Sequence, residues 1–208
     1  MDIGLERLTN MTLDMARLSD NTVSKAINAY REGKDAAGEI FRMSEELRIL
    51  QDEVSELAVE LIARYQPVAS DLRFIKSCME TAYGFSRFGR YALDISEVVG
   101  VFGDLSMCDK SAVEAAGAQA KEMIQIGIKA FAERDVSSAK KLDEMDSVVD
   151  KIYLDFLQGA AAQRGEVKIR CTASALLILR FLERIADHAT YIGESVLYIV
   201  TGERSSRR

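Results

Sequence analysis

A long amphipathic helix is predicted by Arg180-Phe-Leu-Glu-Arg-Ile-Ala-Asp-His-Ala-Thr-Tyr-Ile-Gly-Glu-Ser-Val-Leu-Tyr-Ile-Val-Thr-Gly-Glu203, where apolar residues recur every three or four positions. Glu183 and Asp187 lie four residues apart on one face of this helix. Like charges at this spacing repel by roughly 0.2–0.5 kcal/mol unless a cation lies between them. The pair is therefore a candidate cation site. The apolar stripe consists of Ile178, Leu182, Ile185, Ala189, Ile192, Val196 and Ile199.

The rest of the chain predicts five further helices, because its apolar residues also recur at helical spacing. No segment shows the sustained alternation of apolar and polar residues that is typical of a strand. Glycines, the single proline Pro67 and acidic cap residues separate the helices. The predicted ranges are 5–31, 36–63, 69–99, 111–133 and 136–162, with a break at Gln163-Arg-Gly165 before the sixth helix.

The six predicted helices form two sets of three that repeat one another. Asp35 and Asp135 are equivalent cap residues, 100 positions apart (135 − 35). The stretch 87–97 aligns with 184–194 at an offset of 97 (184 − 87). We therefore predict an all-α fold of two tandem three-helix bundles, residues 1–104 and 105–208, in which short connections make successive helices antiparallel.

Composition and charge narrow the classes of partner. The chain has 208 residues, 48% of them apolar, and a net charge of −6, which gives it no electrostatic reason to bind nucleic acid. An acid stands near the amino terminus where a secretory signal would be basic, and no apolar run has the length of a membrane span. We expect a soluble cytoplasmic protein, with at most peripheral membrane contact through the basic tail 204–208.

The three cysteines are far apart in sequence and lie among apolar neighbours. Their odd number and their spacing favour reduced, buried thiols over a disulfide framework. They are Cys78, Cys108 and Cys171.

A second acidic stripe lies on the predicted fifth helix, where Asp143, Asp146 and Asp150 follow one another at helical spacing. Antiparallel packing against the sixth helix can bring this stripe beside Glu183 and Asp187. Carboxylates alone form a hard oxygen site that suits Fe, Mn, Mg or Ca better than Zn. The alternative is a solvated acidic face neutralised by Arg180, Arg184 and Lys151.

The sixth helix resembles the signature helix of the PhoU family, in which Glu-Arg-Ile-(Gly/Ala)-Asp-His leads to a Val-Thr-Gly-Glu ending. Here the matching residues are 183–188 and 200–203. Gln66-Pro67 followed by Asp71-Leu-Arg73 resembles the family's junction in the first half. The resemblance extends over the whole chain, including its length, its six helices and its duplicated halves.

The resemblance implies a fold of two three-helix bundles and a surface metal site formed by Glu183 and Asp187 with Asp146 and Asp150. In the first half Ser86 and Arg90 stand where the family has acids, at an offset of 97. A guanidinium cannot ligate a cation, so we expect Arg90 to pair with Glu46 or Asp94 and the chain to hold one metal site only. None of the possible companion pairs is fully acidic; they are Glu46 with Leu50, Leu47 with Gln51, and Arg48 with Asp52.

The resemblance also implies a function. Members of the family act as accessory regulators of phosphate uptake and phosphate signalling through contacts with the ATPase subunit of a phosphate ABC transporter and, in many bacteria, with a sensor histidine kinase. They often self-associate, so we expect a homo-oligomer, a dimer being the simplest form.

Two other functions remain open: a metal-dependent enzyme that uses the carboxylate cluster, and a metal-free helical scaffold. Catalysis would need an open coordination position and a concave pocket. The chain has no P-loop and no dinucleotide glycine motif, and His188 is its only histidine, so we expect no enzymatic activity. We interpret His188 as a partly exposed helix residue, with a role beside the metal as the alternative.

Overall fold

The computed structural model describes residues 1–160 and 166–203. Within these residues all regular secondary structure is helical, as predicted, and the helices match the predicted ranges to within a few residues. None of them is long and apolar enough to cross a membrane. They are α1 (Asp2–Glu32), α2 (Ala37–Tyr65), α3 (Ala69–Phe102), α4 (Ser111–Glu133), α5 (Val136–Ala160) and α6 (Glu166–Thr201).

Local sequence explains where the helices end. Gly33 closes α1 in the left-handed conformation at φ 66°, which costs glycine little because it has no Cβ. Asp35 then accepts a hydrogen bond from the backbone N–H of Ala37, and Asp135 accepts one from Ser137, so both predicted acids bind the start of a helix. Their positions differ, because Asp135 directly precedes α5 whereas Ala36 stands between Asp35 and α2. The predicted break at 163–165, the end of the fifth helix at 162 and the tail 204–208 lie outside the described residues.

The six helices pack as two antiparallel sets of three that share one hydrophobic core. Helices α1, α2 and α3 contact one another, as do α4, α5 and α6. The most extensive packing of all joins α3 to α6, and α1 also contacts α4. Every residue of the apolar stripe predicted for α6 is buried, because that helix packs against both sets. The division at 104/105 stays a prediction.

The buried positions fix the register of the repeat. Ile40 and Leu47 of α2 correspond to Leu142 and Val149 of α5, since both pairs are buried and both lie 102 residues apart (142 − 40 and 149 − 47). Helices α3 and α6 keep the offset of 97. The predicted offset of 100 for the second helix is therefore two residues short, which changes the residues that correspond to the acids of α5.

The structure corrects the prediction for two of the cysteines. Cys108, in the connection between α3 and α4, forms a disulfide with Cys171 near the beginning of α6, with Cα atoms 5.3 Å apart. Folding brings these residues together because α4 and α5 run out and back between them. Cys78 fits the prediction: it is a free thiol, fully buried, and burial raises its pKa to about 12.

Candidate metal-binding site

The acidic residues of α5 and α6 lie along two helices that approach each other closely. At Gly193 of α6, a Cβ would lie 2.9 Å from the carbonyl oxygen of Ala139 and 3.0 Å from Leu142 Cδ1. No larger residue fits there without movement of α5. This close contact places the stripe of α5 beside that of α6.

The four predicted metal-binding carboxyl groups are within electrostatic reach of one another. Burial, followed by the negative charges of Asp150, Asp187 and Glu183, raises the pKa of Asp146 to about 7. Burial and the charge of Asp187 also raise the pKa of Glu183, and burial raises that of Asp187. A site that makes ionisation of its own acids unfavourable is one that a bound cation would stabilise.

Two oxygens of this site lie buried without a hydrogen-bond partner within the described part of the chain. They are Oδ1 of Asp146 and Oε2 of Glu183. The Glu183 oxygen does lie 3.3 Å from Nε of Arg184, but without hydrogen-bond geometry. Unsatisfied buried carboxylate oxygens are costly and uncommon, and hard cations bind such oxygens, so the residues present fit a metal ion of that class.

Two arginines of α6 bind the acids that a cation would need. Arg180 Nη1 donates to Glu183 Oε1 at 2.8 Å, and Arg184 Nη1 donates to Asp187 Oδ2 at 2.9 Å. Among the residues that the structure describes, no three Asp, Glu, His or Cys side chains converge as a ready-made metal cluster. A metal ion would therefore have to displace the guanidinium groups from part of the site, and the neutralising role considered for Arg180 and Arg184 is present in this structure.

The corresponding positions of the first half carry no acid. The register of the repeat places Ser44 and Arg48 opposite Asp146 and Asp150 (44 + 102 and 48 + 102), and Ser86 and Arg90 opposite Glu183 and Asp187. Ser44 with Arg48 was not among the companion pairs predicted from sequence. Like those pairs, it does not consist of two acids. Arg90 pairs with Asp94 at 3.0 Å, which confirms one of the two partners predicted for it.

Sequence reasoning missed a polar cluster where α3 crosses α6. Tyr91 and His188 are equivalent residues of the repeat (91 + 97), and the Tyr91 hydroxyl lies 3.4 Å from His188 Nε2. Arg87 donates to the same hydroxyl at 3.0 Å. Burial, with the nearby charges of Arg87 and Arg184, lowers the pKa of His188 to about 4, so it is neutral at pH 7. The sequence could have indicated this contact, because Tyr91 and His188 differ by the repeat offset of 97 and helices related by a twofold axis meet at equivalent residues.

Comparison with known proteins supports the fold and the repeat. The model of the PhoU domain matches the chain twice, at residues 12–99 and 113–196. A phosphate-specific transport system accessory protein PhoU homolog of Pseudomonas putida is 29% identical over 95% of this chain and 79% of its own length. A homolog of the same description from Methanothermobacter thermautotrophicus is 28% identical over 96% of this chain and 94% of its own length.

Two solved structures have the same fold as this chain. The crystal structure of PhoU from Pseudomonas aeruginosa superposes with a TM-score of 0.92 at 28% identity, covering 97% of this chain and 99% of that one. The phosphate transport system regulatory protein PhoU of Streptococcus pneumoniae shares the fold, with a TM-score of 0.89 at 24% identity and 99% of each chain covered. The two domain matches together span most of the sequence, so this chain belongs to the PhoU domain family.

Proposed function

We propose that this protein is an accessory regulator of phosphate uptake and phosphate signalling. The observation that carries the proposal is the match along nearly the whole chain to relatives described as accessory proteins of the phosphate-specific transport system. The match includes both repeats, so it is not confined to one shared segment.

We further propose that one metal site regulates this activity. Asp146 and Asp150 of α5 and Glu183 and Asp187 of α6 would supply its ligands. Oxygen donors without nitrogen or sulfur favour Fe, Mn, Mg or Ca over Zn. The bound ion would neutralise the repelling acids and fix α5 against α6, which shapes the surface that these helices present to a partner.

The metal site is tested by replacing Asp187 with asparagine and measuring metal content after purification and after loading with Mg²⁺, Mn²⁺ or Fe. We expect bound metal to be lost while the far-ultraviolet circular dichroism is unchanged, since Asp187 is partly exposed. The matched control is Asp94→Asn, which changes a half-buried acid of α3 that already has an arginine partner. Unchanged metal content in the Asp187 variant would refute the assignment.

The regulatory role is proposed to depend on protein contacts in the cytoplasm, with the ATPase subunit of a phosphate ABC transporter and with a sensor histidine kinase, and on assembly as a homodimer. The test is the rate of radiolabelled phosphate uptake in a bacterial strain that lacks its own homolog. We expect the wild-type chain to restore control of uptake at high external phosphate. Co-purification with the tagged ATPase subunit from the same cells would identify the contact, and failure of both measurements would contradict the proposal.

The enzyme alternative gains no support from the groove that is lined by His188, the neighbour of Asp187. A groove of about 550 Å³ lies between α3 and α6, but none of the four carboxylates lines it. We therefore propose a regulatory role for the metal, without catalysis.

A further inference from the structure

The groove between α3 and α6 has the chemical features of a binding site that the proposed metal does not use. It has a volume of about 550 Å³ and is open to solvent along one side. Aromatic and charged residues dominate its lining, above all Tyr83, His188, Tyr191, Tyr198, Lys76 and Glu194.

One end of the groove is a cluster of aromatic rings. The ring of His188 lies 6.0 Å from that of Tyr83 and 5.5 Å from that of Tyr191, both in edge-on arrangements. Tyr83 and Tyr191 are 50% and 53% exposed, although large aromatic residues normally bury most of their surface. Exposed tyrosines grouped around a cavity are typical of contact surfaces, because they offer a rigid apolar face and a polar tip.

At the other end of the groove, a tyrosine ring contacts a cation of the protein itself. Lys76 Nζ lies 5.5 Å from the centre of the Tyr198 ring, within the range of a cation–π contact. Lys76 also pairs with Glu80, one turn along α3, so its charge is already balanced.

Glu194 gives the groove an excess of negative charge. It is half-buried in the lining, and within the described residues it has no ion pair within 4.0 Å. Lys76 and Glu80 neutralise each other, so among the charged lining residues that the structure describes Glu194 is the one without an ion pair. A positively charged group is therefore the complementary ligand.

The length of the groove matches a short segment of extended chain. Its lining residues on α6 extend from His188 to Tyr198, which are ten residues apart and therefore about 15 Å apart along the helix. An extended peptide advances about 3.3 Å per residue, so roughly four or five residues would fill this length.

We propose that this groove binds an extended segment of a partner protein through an arginine, whose guanidinium stacks on the tyrosine rings and pairs with Glu194. Arginine fits better than lysine because its planar group stacks on aromatic faces and is more weakly hydrated. The inference depends neither on the metal site nor on a role in phosphate transport, so each can fail without the other.

The opposite face of the same helix pair lacks the equivalents of Tyr83 and Tyr191. The offset of 97 places Asp94 at the position equivalent to Tyr191 (94 + 97), and Arg180 at that equivalent to Tyr83 (83 + 97). The cluster of exposed tyrosines therefore occurs on one face only of the two related by the repeat. Glu97, the repeat equivalent of Glu194, provides a matched control outside the groove.

The test is a nuclear magnetic resonance titration of the full chain at pH 7 in the presence of Mg²⁺. Because His188 is the only histidine, its ring signals report on the groove without assignment of other residues. The probe is a five-residue peptide, blocked at both ends, with arginine at the centre and alanine and glycine around it. We expect saturable shifts of the His188 signals at millimolar peptide.

Four variants and two further probes decide the outcome. We expect Tyr191→Ala and Glu194→Gln each to weaken binding about tenfold, and citrulline in place of arginine to do the same. Glu97→Gln should leave binding unchanged, and so should Tyr65→Ala, which changes a tyrosine of similar exposure, 48%, outside the groove. Free arginine should bind at least about tenfold more weakly than the peptide, since it fills only part of the length.

Several results would overturn the proposal. If the arginine and citrulline peptides bind equally, the positive charge is not what the groove recognises. If free arginine binds as tightly as the peptide, the groove does not need a chain segment. Absence of any His188 shift would refute the site. If the His188 signals change when the protein alone is diluted, the groove is covered by a second copy of this chain, which would also refute a foreign partner.

Discussion

Helices α3 and α6 occupy equivalent places in the two halves of the chain, but the two positions that carry acids on α6 carry none on α3. On α6, Glu183 and Asp187 lie beside the acids of α5, and two of the four carboxyl groups have buried oxygens without a hydrogen-bond partner among the residues that the structure describes. On α3, the equivalent residues are Ser86 and Arg90, and Arg90 forms an ion pair with Asp94. The buried apolar positions that set the register agree between the halves, while the positions of these acids do not.

This difference shows which positions the shared fold constrains. An apolar residue at a buried position such as Leu47 or Val149 contributes to the common core, and a polar substitute there would be costly in either half. Replacing a surface acid by arginine costs the fold little, because the new charge finds a partner one turn away. One half can therefore lose a metal site while the architecture stays the same.

The aromatic groove is equally one-sided. Tyr83 and Tyr191 face one side of the α3–α6 contact, while the equivalent positions on the other side are Arg180 and Asp94. The twofold repeat thus creates two similar faces, and only the side chains make them different.

The largest change is expected from giving the first half the acids of the second. We expect this variant to bind about twice as much metal as the wild type, because the backbone positions are equivalent. Metal content is measured by mass spectrometry after loading with Mn²⁺ and desalting. The control carries the other three substitutions but keeps Arg90. It should gain no metal, since the guanidinium would occupy the site. Unchanged metal content in the full variant would show that the halves differ in more than their side chains. The substitutions are Ser44→Asp, Arg48→Asp, Ser86→Glu and Arg90→Asp.

The second expected difference concerns the disulfide, which ties together only the second half. Cys108 and Cys171 are 63 residues apart in sequence, and closing a loop of that length stabilises a fold by roughly 4 kcal/mol in the chain-entropy model. We expect reduction to lower the free energy of unfolding in urea by about this amount. Hydrogen exchange should accelerate in α4–α6 more than in α1–α3. The Cys108→Ser, Cys171→Ser double variant should not respond to reductant; if it responds equally, the effect does not come from this bond.

The smallest effect is a pH dependence of the metal-free protein. The pKa of Asp146 is about 7 in the fold and about 4 when unfolded, so between these values the native state binds more protons. The stability of the metal-free protein should therefore be greatest below pH 4 as far as this group is concerned, and should fall as pH rises through about 7. After allowance for solvent screening the fall is on the order of 1 kcal/mol.

Two variants separate Asp146 from other titrating groups. Asp146→Asn should remove this fall in the presence of a chelator, as measured by urea unfolding at pH 4.5 and 8, because the amide cannot ionise. Asp94→Asn in the first half should leave it in place. If the fall persists in the Asp146 variant, the acids of the second half are not the source of the pH dependence.

Much of the architecture could be predicted from the sequence because local signals agree with the final fold. Gly33, Pro67 and the caps at Asp35 and Asp135 set helix ends that hold in the structure. The apolar stripe of α6 is buried throughout. Apolar periodicity and the glycine, proline and capping residues at helix ends act over a few residues. The helices that they predict therefore do not depend on the rest of the chain.

The candidate site was only partly predictable. Residue spacing and family resemblance identified the four carboxylates, and the structure places them within electrostatic reach of one another. The bonds of Arg180 and Arg184 to Glu183 and Asp187 were one of two open alternatives, and spacing alone could not choose between arginine and metal. That choice depends on side-chain conformations that the packing of α5 on α6 fixes.

By itself, then, the sequence determined the helices, their order, the repeat and the side on which acids accumulate, because each of these follows from neighbours along one chain segment. Only the tertiary structure decided the Cys108–Cys171 bond, the Tyr91–His188 contact and the groove between α3 and α6. These features join residues that lie 63 or more positions apart, and their distances depend on how the two halves dock. Docking is set by the shape of a shared core, to which every helix contributes and which no single stretch of sequence encodes.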